Sequence, residues 1–144
     1  MSTDRELLLR HQYFYHVTDH ENIESIFRNG LLSAPGDPDK YAQFFPGEKP
    51  VFICTEPHIP EWVKTQLRSQ GYLKASVLRI QARIVADLPY AIDYSFPDCT
   101  SKMANFEEYL AAGFFACLSE ICPEHLELAP DWKCVSSDDP RLGG

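Results

Sequence analysis

The sequence has no apolar run that approaches the roughly 18 residues needed to cross a bilayer, and residues 1–6 are largely polar and charged. A secretory signal would instead begin with a basic segment and continue into an apolar one. We therefore expect neither a signal nor a membrane span, and we predict a soluble, cytoplasmic protein with no membrane partner.

Basic residues are also scarce in this chain. The 13 Lys and Arg against 21 Asp and Glu give a net charge of −8, and the basic residues are scattered. Tight, sequence-independent binding to duplex nucleic acid needs clustered Lys and Arg that contact phosphates. The composition therefore disfavours that function, and a nucleic-acid substrate would need a local basic patch.

The five cysteines are odd in number and form no close pairs. A chain of this length folds without disulfides, which favours reduced thiols. Cys117, Cys122 and His125 have a spacing compatible with zinc, but no second Cys-x-x-Cys pair completes a set of four ligands. We therefore expect no metal site.

What the chain does contain is enough apolar material for one core. It has 144 residues, of which 44% are hydrophobic and 12% aromatic. We predict a single domain over residues 1–144, in which the polar residues 136–144 form a flexible tail. No internal repeat or low-complexity tract divides it.

The clearest local signal is a strand that leads directly into a helix. Aromatic and β-branched residues predict a strand over 12–18, and the period of two places His16 and Thr18 on one face. Tyr13, Tyr15 and Val17 take the other face. Two polar side chains are thus expected at the end of a strand beside a helix start, where ligands are often held.

The helix after this strand carries its own start and stop signals. Its N-terminus fits either a capping box of Thr18 with Glu21, or Asp19 as the cap with Asn22 at the third position. Gly30 stands where a left-handed residue would end the helix. The apolar stripe between them consists of Ile23, Ile26 and Phe27.

Alternation and turn residues predict the other elements. Strands are expected at 51–55, 74–85, 90–94 and 114–122, with a short strand or a turn at 124–128. Helices are expected within 1–11, at 60–70 with Gly71 as the stop, and at 105–112. The third strand is expected to be solvated on the face that carries Val77, Arg79, Gln81 and Arg83.

A long irregular segment is predicted over 33–50. Loops of this length in a small domain are usually functional or mobile. Its aromatic residues predict that it folds back, either as plain packing or as a cover over a ligand. These aromatic residues are Tyr41, Phe44 and Phe45.

Four groups of residues together form a motif: Tyr15-His16-Val17-Thr18, then Asn22-Ile23, Ile26 and Gly30-Leu31. This motif is similar to the opening of small ADP-ribosyltransferase-fold proteins, notably DarT-like enzymes and RNA 2′-phosphotransferases. In those families a strand with Tyr-His-x-Thr leads into a helix that ends in Gly-Leu. More loosely, 51–55 resembles their second strand and 121–127 their C-terminal hydrophobic-Pro-Glu element.

The resemblance implies an α+β fold of the ADP-ribosyltransferase type, with a twisted central (split) β-sheet and a few helices. It implies that NAD is the co-substrate and that the protein is an NAD-dependent mono-ADP-ribosyltransferase. The net charge makes a protein a better macromolecular acceptor than a nucleic acid. The cofactor-binding residues it implies are Tyr15, His16, Thr18, Asn22, Gly30, Leu31 and Thr55.

Each role that the resemblance implies is chemically reasonable. His16 would hydrogen-bond a ribose of NAD and Thr18 would support the same cofactor, since imidazole and hydroxyl groups both donate and accept. Asn22 and the Gly30-Leu31 backbone would line the adenosine side. Thr55 would shape the nicotinamide pocket, where nicotinamide must leave as an oxocarbenium-like ribose forms.

The catalytic carboxylate is the point at which the sequence departs from the family. Transferases of this fold place a glutamate at the start of the late strand, and the matching position here is Phe115. Glu108 and Glu120 are the nearest candidates, and either one requires a shift in the match. For the pyrophosphate, Lys40 and Lys49 are the candidate basic residues.

Two other functions stay open at this point. A non-catalytic module that binds NAD or an ADP-ribose-like nucleotide, or that acts as an inhibitor, would explain the missing glutamate. An enzyme like the RNA 2′-phosphotransferases would not need that glutamate, but it would need several basic residues around a phosphate. The net charge of −8 disfavours the second of these.

Overall fold

A computed structural model describes residues 4–31, 51–88, 90–92, 114–117 and 121–142. In these ranges the chain forms an open antiparallel sheet with a few helices, which confirms the α+β class. The strands are β1 (Tyr13–Asp19), β2 (Val51–Cys54), β3 (Lys74–Gln81), β4 (Tyr90–Ile92), β5 (Phe114–Cys117), β6 (Glu127–Leu128) and β7 (Val135–Ser136).

The sheet order is β4-β5-β2-β1-β3-β6, and every described pairing is antiparallel. The longest ladder joins β1 to β3 from Tyr13 opposite Gln81 to Asp19 opposite Ala75. β7 also pairs with β3, at Lys74 and Ala75, whereas β6 pairs further along, opposite Leu78 and Arg79. In the described sheet β5, β2, β1 and β3 are therefore interior strands, and β1 and β3 share the longest ladder.

The four described helices are α1 (Asp4–Leu8), α2 (Ile23–Asn29), α3 (Ile59–Gln70) and α4 (Ala82–Ala86). Gly71 ends α3 in the left-handed conformation (φ 69°), as the sequence predicts. Short 3-10 turns at His20–Asn22, Glu56–His58, Pro123–His125 and Pro140–Leu142 complete the regular structure.

Apolar side chains cover both faces of the sheet. On one face, Phe14, Leu78 and Ile80 pack with buried residues that include Leu8, Leu31 and Ile121. On the other, Tyr15, Val17 and Val77 pack against α3 through Ile59, Trp62 and Val63. We call these the α2 face and the α3 face, since β1 sends alternate side chains to each.

The third strand is shorter and more buried than the sequence predicts. It ends at Gln81, opposite Tyr13 at the start of β1, and α4 begins at Ala82, whose amide still donates a hydrogen bond of 3.0 Å to the Gln12 carbonyl. The predicted solvated face is confirmed at the exposed Gln81 and in part at Arg79, but it is wrong at Val77, which is fully buried beneath α3. In α4 the buried residues are Ala82, Val85 and Ala86, which have helical spacing. The alternating pattern had instead predicted that the strand continues through them.

The C-terminal residues have defined structure as far as Leu142, where polarity predicted a flexible tail over 136–144. Leu142 is buried on the α3 face, and Arg141 lies over the Trp132 ring at 3.9 Å while it pairs with Asp139 at 2.8 Å. The segment at 124–128 combines both predicted alternatives, a 3-10 turn followed by β6. The predicted loop over 33–50 and helix over 105–112 lie outside the described residues.

Candidate functional site

His16 lies on the α2 face of β1, opposite Leu78 on β3. Its Nδ1 is 2.7 Å from the backbone carbonyl oxygen of Phe52 on β2. A carbonyl oxygen only accepts, so Nδ1 carries the hydrogen and donates it. Burial lowers the pKa of His16, and the Phe52 hydrogen bond opposes that shift only in part. His16 is therefore a neutral imidazole with Nε2 as an available acceptor.

Thr18 and Thr55 lie on the same side of the sheet as His16. Thr18 is two residues further along β1 and is 7% exposed. Thr55 directly follows β2, is 3% exposed, and has an extended backbone (φ −88°, ψ 160°) that continues the alternation of the strand. Two hydroxyl side chains and one imidazole are thus presented by two neighbouring strands on the α2 face.

The end of β1 carries a further polar contact that the sequence reading missed. Ser76 is fully buried opposite Thr18 and donates a hydrogen bond of 2.6 Å to the Lys133 carbonyl. Its hydrogen is thereby used, so His20 Nδ1, 2.7 Å from Ser76 Oγ, must be the donor in that pair. The signal for this contact was the buried Ser in an apolar strand, but its partners are 56 and 57 residues away.

Asn22 lies at the start of α2, where it is exposed and makes no capping hydrogen bond. The Asp19 carboxylate accepts a hydrogen bond from the Glu21 amide at 3.1 Å, so the structure uses Asp19 as the cap of the 3-10 turn. Of the two predicted caps Asp19 is the one that is used, but it caps the 3-10 turn that precedes α2 and not α2 itself. The amide of Asn22 stays available to a ligand on the solvent side of the helix.

Gly30 brings the end of α2 against the segment after β5. Its backbone (φ 87°, ψ 177°) belongs to a region that essentially only glycine adopts. A Cβ placed there would lie 2.5 Å from the Ile121 carbonyl oxygen and 3.2 Å from Pro123 Cδ. The next residue, Leu31, exchanges two hydrogen bonds of 2.9 Å with Ile121. The two segments that resemble the family motif are thus in direct contact.

Tyr15 is the member of the predicted set that the structure separates from the others. It points to the α3 face, where it is 8% exposed and lines a cavity of about 270 Å³. His16, Thr18 and Thr55 share the α2 face, and Leu31 is buried in the same cluster. A ligand held by His16 cannot contact the Tyr15 ring without crossing the sheet.

The predicted charged groups lie outside the described residues. These are the candidate carboxylates Glu108 and Glu120 and the candidate bases Lys40 and Lys49. Phe115 is placed on β5, opposite Ile53 of β2. The structure therefore locates the position that the family match assigns to glutamate in the strand next to β2.

No protein-family model matches this chain, and no curated protein matches it significantly. Within the described ranges, no group of three His, Cys, Asp or Glu side chains could hold a metal ion. Over the same ranges, no helix has both the length and the apolar character required to cross a bilayer. The four described cysteines, Cys54, Cys117, Cys122 and Cys134, are free thiols.

Proposed function

We propose that this protein binds NAD on the α2 face and transfers its ADP-ribose to a macromolecular acceptor. The observation that carries the proposal is the state of His16. A neutral imidazole, fixed by a 2.7 Å hydrogen bond to the Phe52 carbonyl, leaves Nε2 to accept from a ribose hydroxyl. A protonated histidine would offer a second donor instead and could not accept.

Neighbouring residues support a nucleoside ligand at this position. Thr18 and Thr55 add hydroxyl groups on the same face, and the exposed Asn22 adds an amide at the start of α2. Gly30 lets the end of the helix approach Ile121 with no side chain between them. Uncharged donors and acceptors of this kind suit ribose and adenine better than they suit a bare phosphate.

The transfer itself needs a group that stabilises the developing ribosyl cation. In the reaction, the bond between ribose C1′ and the nicotinamide nitrogen breaks, and a bond from C1′ to the acceptor nucleophile forms. A carboxylate near C1′ stabilises the positive charge, and it can take the proton of the acceptor. We propose that Glu108 or Glu120 supplies this carboxylate.

A non-catalytic nucleotide-binding or inhibitor module is the second candidate. Phe115 favours it, because the residue at this position of β5, to which the resemblance assigns a glutamate, is a phenylalanine. An acidic first helical turn, with Glu21 and Glu24, also weakens any phosphate site there. Chemistry like that of the RNA 2′-phosphotransferases is the least favoured, given the net charge of −8.

Binding of NAD is the first test. We expect His16→Ala to weaken NAD binding about 10-fold in calorimetric titration, as loss of one buried hydrogen bond predicts. His11→Ala is a matched control, since His11 is also partly exposed and burial also lowers its pKa, but it lines the cavity on the α3 face. Equal affinity of the two variants for NAD would refute the role of His16.

Transfer is tested separately. NAD labelled in its adenylate phosphate is incubated with the protein and a cell extract, and label on macromolecules is counted. We expect transfer by the unmodified protein, and loss of transfer with retained NAD binding in either Glu108→Gln or Glu120→Gln. NAD binding without transfer or nicotinamide release would support the non-catalytic module, and absence of NAD binding would overturn both candidates.

A further inference from the structure

A second candidate ligand site lies on the α3 face, across the sheet from His16. It is a cavity of about 270 Å³ at the start of β1, between the turn before α3 and the turn after β6. Its lining includes Tyr13, Tyr15, Glu56, Arg79, Asp131 and Trp132. Ligand pockets for drug-sized molecules begin at about 300 Å³, so this cavity suits a single side chain or a small ion rather than a dinucleotide.

The hydroxyl of Tyr15 is the first sign that the cavity receives a ligand. Tyr15 is 8% exposed, yet its hydroxyl has no hydrogen-bond partner among the described residues. Every fully buried polar side-chain atom in the described ranges does have a partner, so this hydroxyl must meet the open space of the cavity. Burial and the nearby Glu56 raise the pKa of Tyr15, which keeps the phenol neutral and able to accept a hydrogen bond.

The charge around the cavity is the second sign. Arg79 is the one arginine that lines it, and its Nε is 2.6 Å from Glu127 while its guanidinium lies 4.3 Å from the centre of the Tyr13 ring. Its charge is thus already compensated. The carboxylates of Glu56 and Asp131 form no ion pair within the described part of the chain.

His11 also lines the cavity and adds no positive charge near neutral pH, because burial lowers its pKa. The cavity therefore has two exposed carboxylates that form no ion pair within the described residues, one unpaired phenol and two further aromatic rings. Asp131 also interacts electrostatically with Arg141, which leaves Glu56 as the principal acceptor for a bound cation. A cation that can hydrogen-bond meets all of these groups, and an anion would be repelled by two of them.

We propose that this cavity binds a guanidinium group, in which Glu56 and Asp131 accept its N–H donors and Tyr15 accepts another. A guanidinium has five N–H donors in one plane and stacks readily on aromatic rings. The Tyr13 and Trp132 rings already carry the guanidinium groups of Arg79 and Arg141, so a bound guanidinium is recognised through the carboxylates and the phenol.

The guanidinium can come from an arginine of a polypeptide or from a small guanidine. The site is independent of the proposed NAD site, because β1 sends Tyr15 and His16 to opposite faces of the sheet. Loss of one site therefore leaves the other intact. NAD binding by Glu56→Gln is expected to equal that of the unmodified protein.

The first experiment titrates the full chain with three probes at fixed, low ionic strength. These are an arginyl peptide with blocked ends, agmatine, and the matching citrulline peptide, in which a neutral urea replaces the guanidinium. We expect the citrulline peptide to bind at least about 10-fold more weakly than the arginyl peptide, since it loses its charge-assisted hydrogen bonds. Stronger binding of the arginyl peptide than of agmatine identifies a polypeptide source, and the reverse identifies a small guanidine.

Variants locate the binding in the cavity. Glu56→Gln is expected to weaken arginyl-peptide binding about 10-fold, and Tyr15→Phe a few-fold, because a charge-assisted bond is worth more than a neutral one. Glu61→Gln is the matched control, since Glu61 is an exposed carboxylate on α3 that does not line the cavity. Equal binding of the arginyl and citrulline peptides, no binding of either guanidinium probe at millimolar concentration, or affinities unchanged by Glu56→Gln or Tyr15→Phe would overturn the proposal.

Discussion

Replacing Gly30 by alanine tests whether the contact between α2 and the segment after β5 needs a glycine. Two effects act at this position. The backbone (φ 87°, ψ 177°) is strained for any residue with a Cβ, and that Cβ would lie 2.5 Å from the Ile121 carbonyl oxygen. Gly71 is a matched control, since its φ is also positive (69°) but a Cβ there meets nothing within 4 Å.

The two substitutions therefore differ in size for a stated reason. At Gly71 we expect a loss of about 1 kcal/mol of unfolding free energy, the usual penalty for a left-handed non-glycine residue. At Gly30 the backbone strain costs about 2 kcal/mol. Displacement of Ile121 weakens its two hydrogen bonds with Leu31 and adds about 1–2 kcal/mol. The total for Gly30→Ala is about 3–4 kcal/mol.

Urea denaturation followed by tryptophan fluorescence measures both losses of unfolding free energy. In thermal melts, at about 3 °C per kcal/mol, the melting temperature should fall by about 10 °C for Gly30→Ala and by about 3 °C for Gly71→Ala. Which variant loses more unfolding free energy matters more than the size of either loss. If Gly30→Ala and Gly71→Ala lost equal stability, the close approach of α2 to Ile121 would not exist in solution. The contact of Leu31 with Ile121 would then be absent as well.

Three further predictions concern other groups. Because burial lowers the pKa of His16, the unfolded chain takes up a proton at this residue before the folded chain does as pH falls below about 6.5. The unfolding free energy should therefore decline there by up to about 1.4 kcal/mol per pH unit. His16→Asn should flatten that decline in denaturation curves recorded at several pH values, and an unchanged slope would contradict the prediction. Burial raises the pKa of the Cys54 thiol, so mass spectrometry after brief native labelling should find Cys134 modified and Cys54 unmodified, whereas equal labelling would count against the buried site. Leu142→Ala should lower the unfolding free energy by about 2 kcal/mol, and a change below about 0.5 kcal/mol would mean that the C-terminal turn does not pack on α3.

The parts of the fold that sequence could predict are those that local patterns decide. The β1-α2 unit was predicted because alternation in residues 13–19 and the helical stripe after it are both short-range signals. The end of β3 was predicted wrongly, since residues after Gln81 suit either a strand or a helix and only the pairing with β1 decides. The local sequence of one segment does not determine long-range pairing of this kind.

The same distinction applies to the candidate site. The faces of Tyr15, His16 and Thr18 followed from the period of two, and the structure places them as that period requires. The Phe52 carbonyl that fixes the His16 tautomer could not be predicted, because it depends on how β2 aligns beside β1. The Ser76 contacts with His20 and Lys133 also join segments that are distant in the chain.

The way the C-terminal residues cover β3 has a consequence for how the protein behaves in concentrated solution. β7 pairs with the start of this strand and β6 with Leu78 and Arg79 in its second half. Between them, the Val77 carbonyl accepts from the Ala129 amide at 2.8 Å and the Val77 amide donates to the Trp132 carbonyl at 3.0 Å. An apolar strand edge left without such a cover is a template for pairing with a second chain. Residues 127–136 therefore act as a built-in barrier to aggregation, and a chain shortened before Glu127 would present the open edge of β3 to its neighbours.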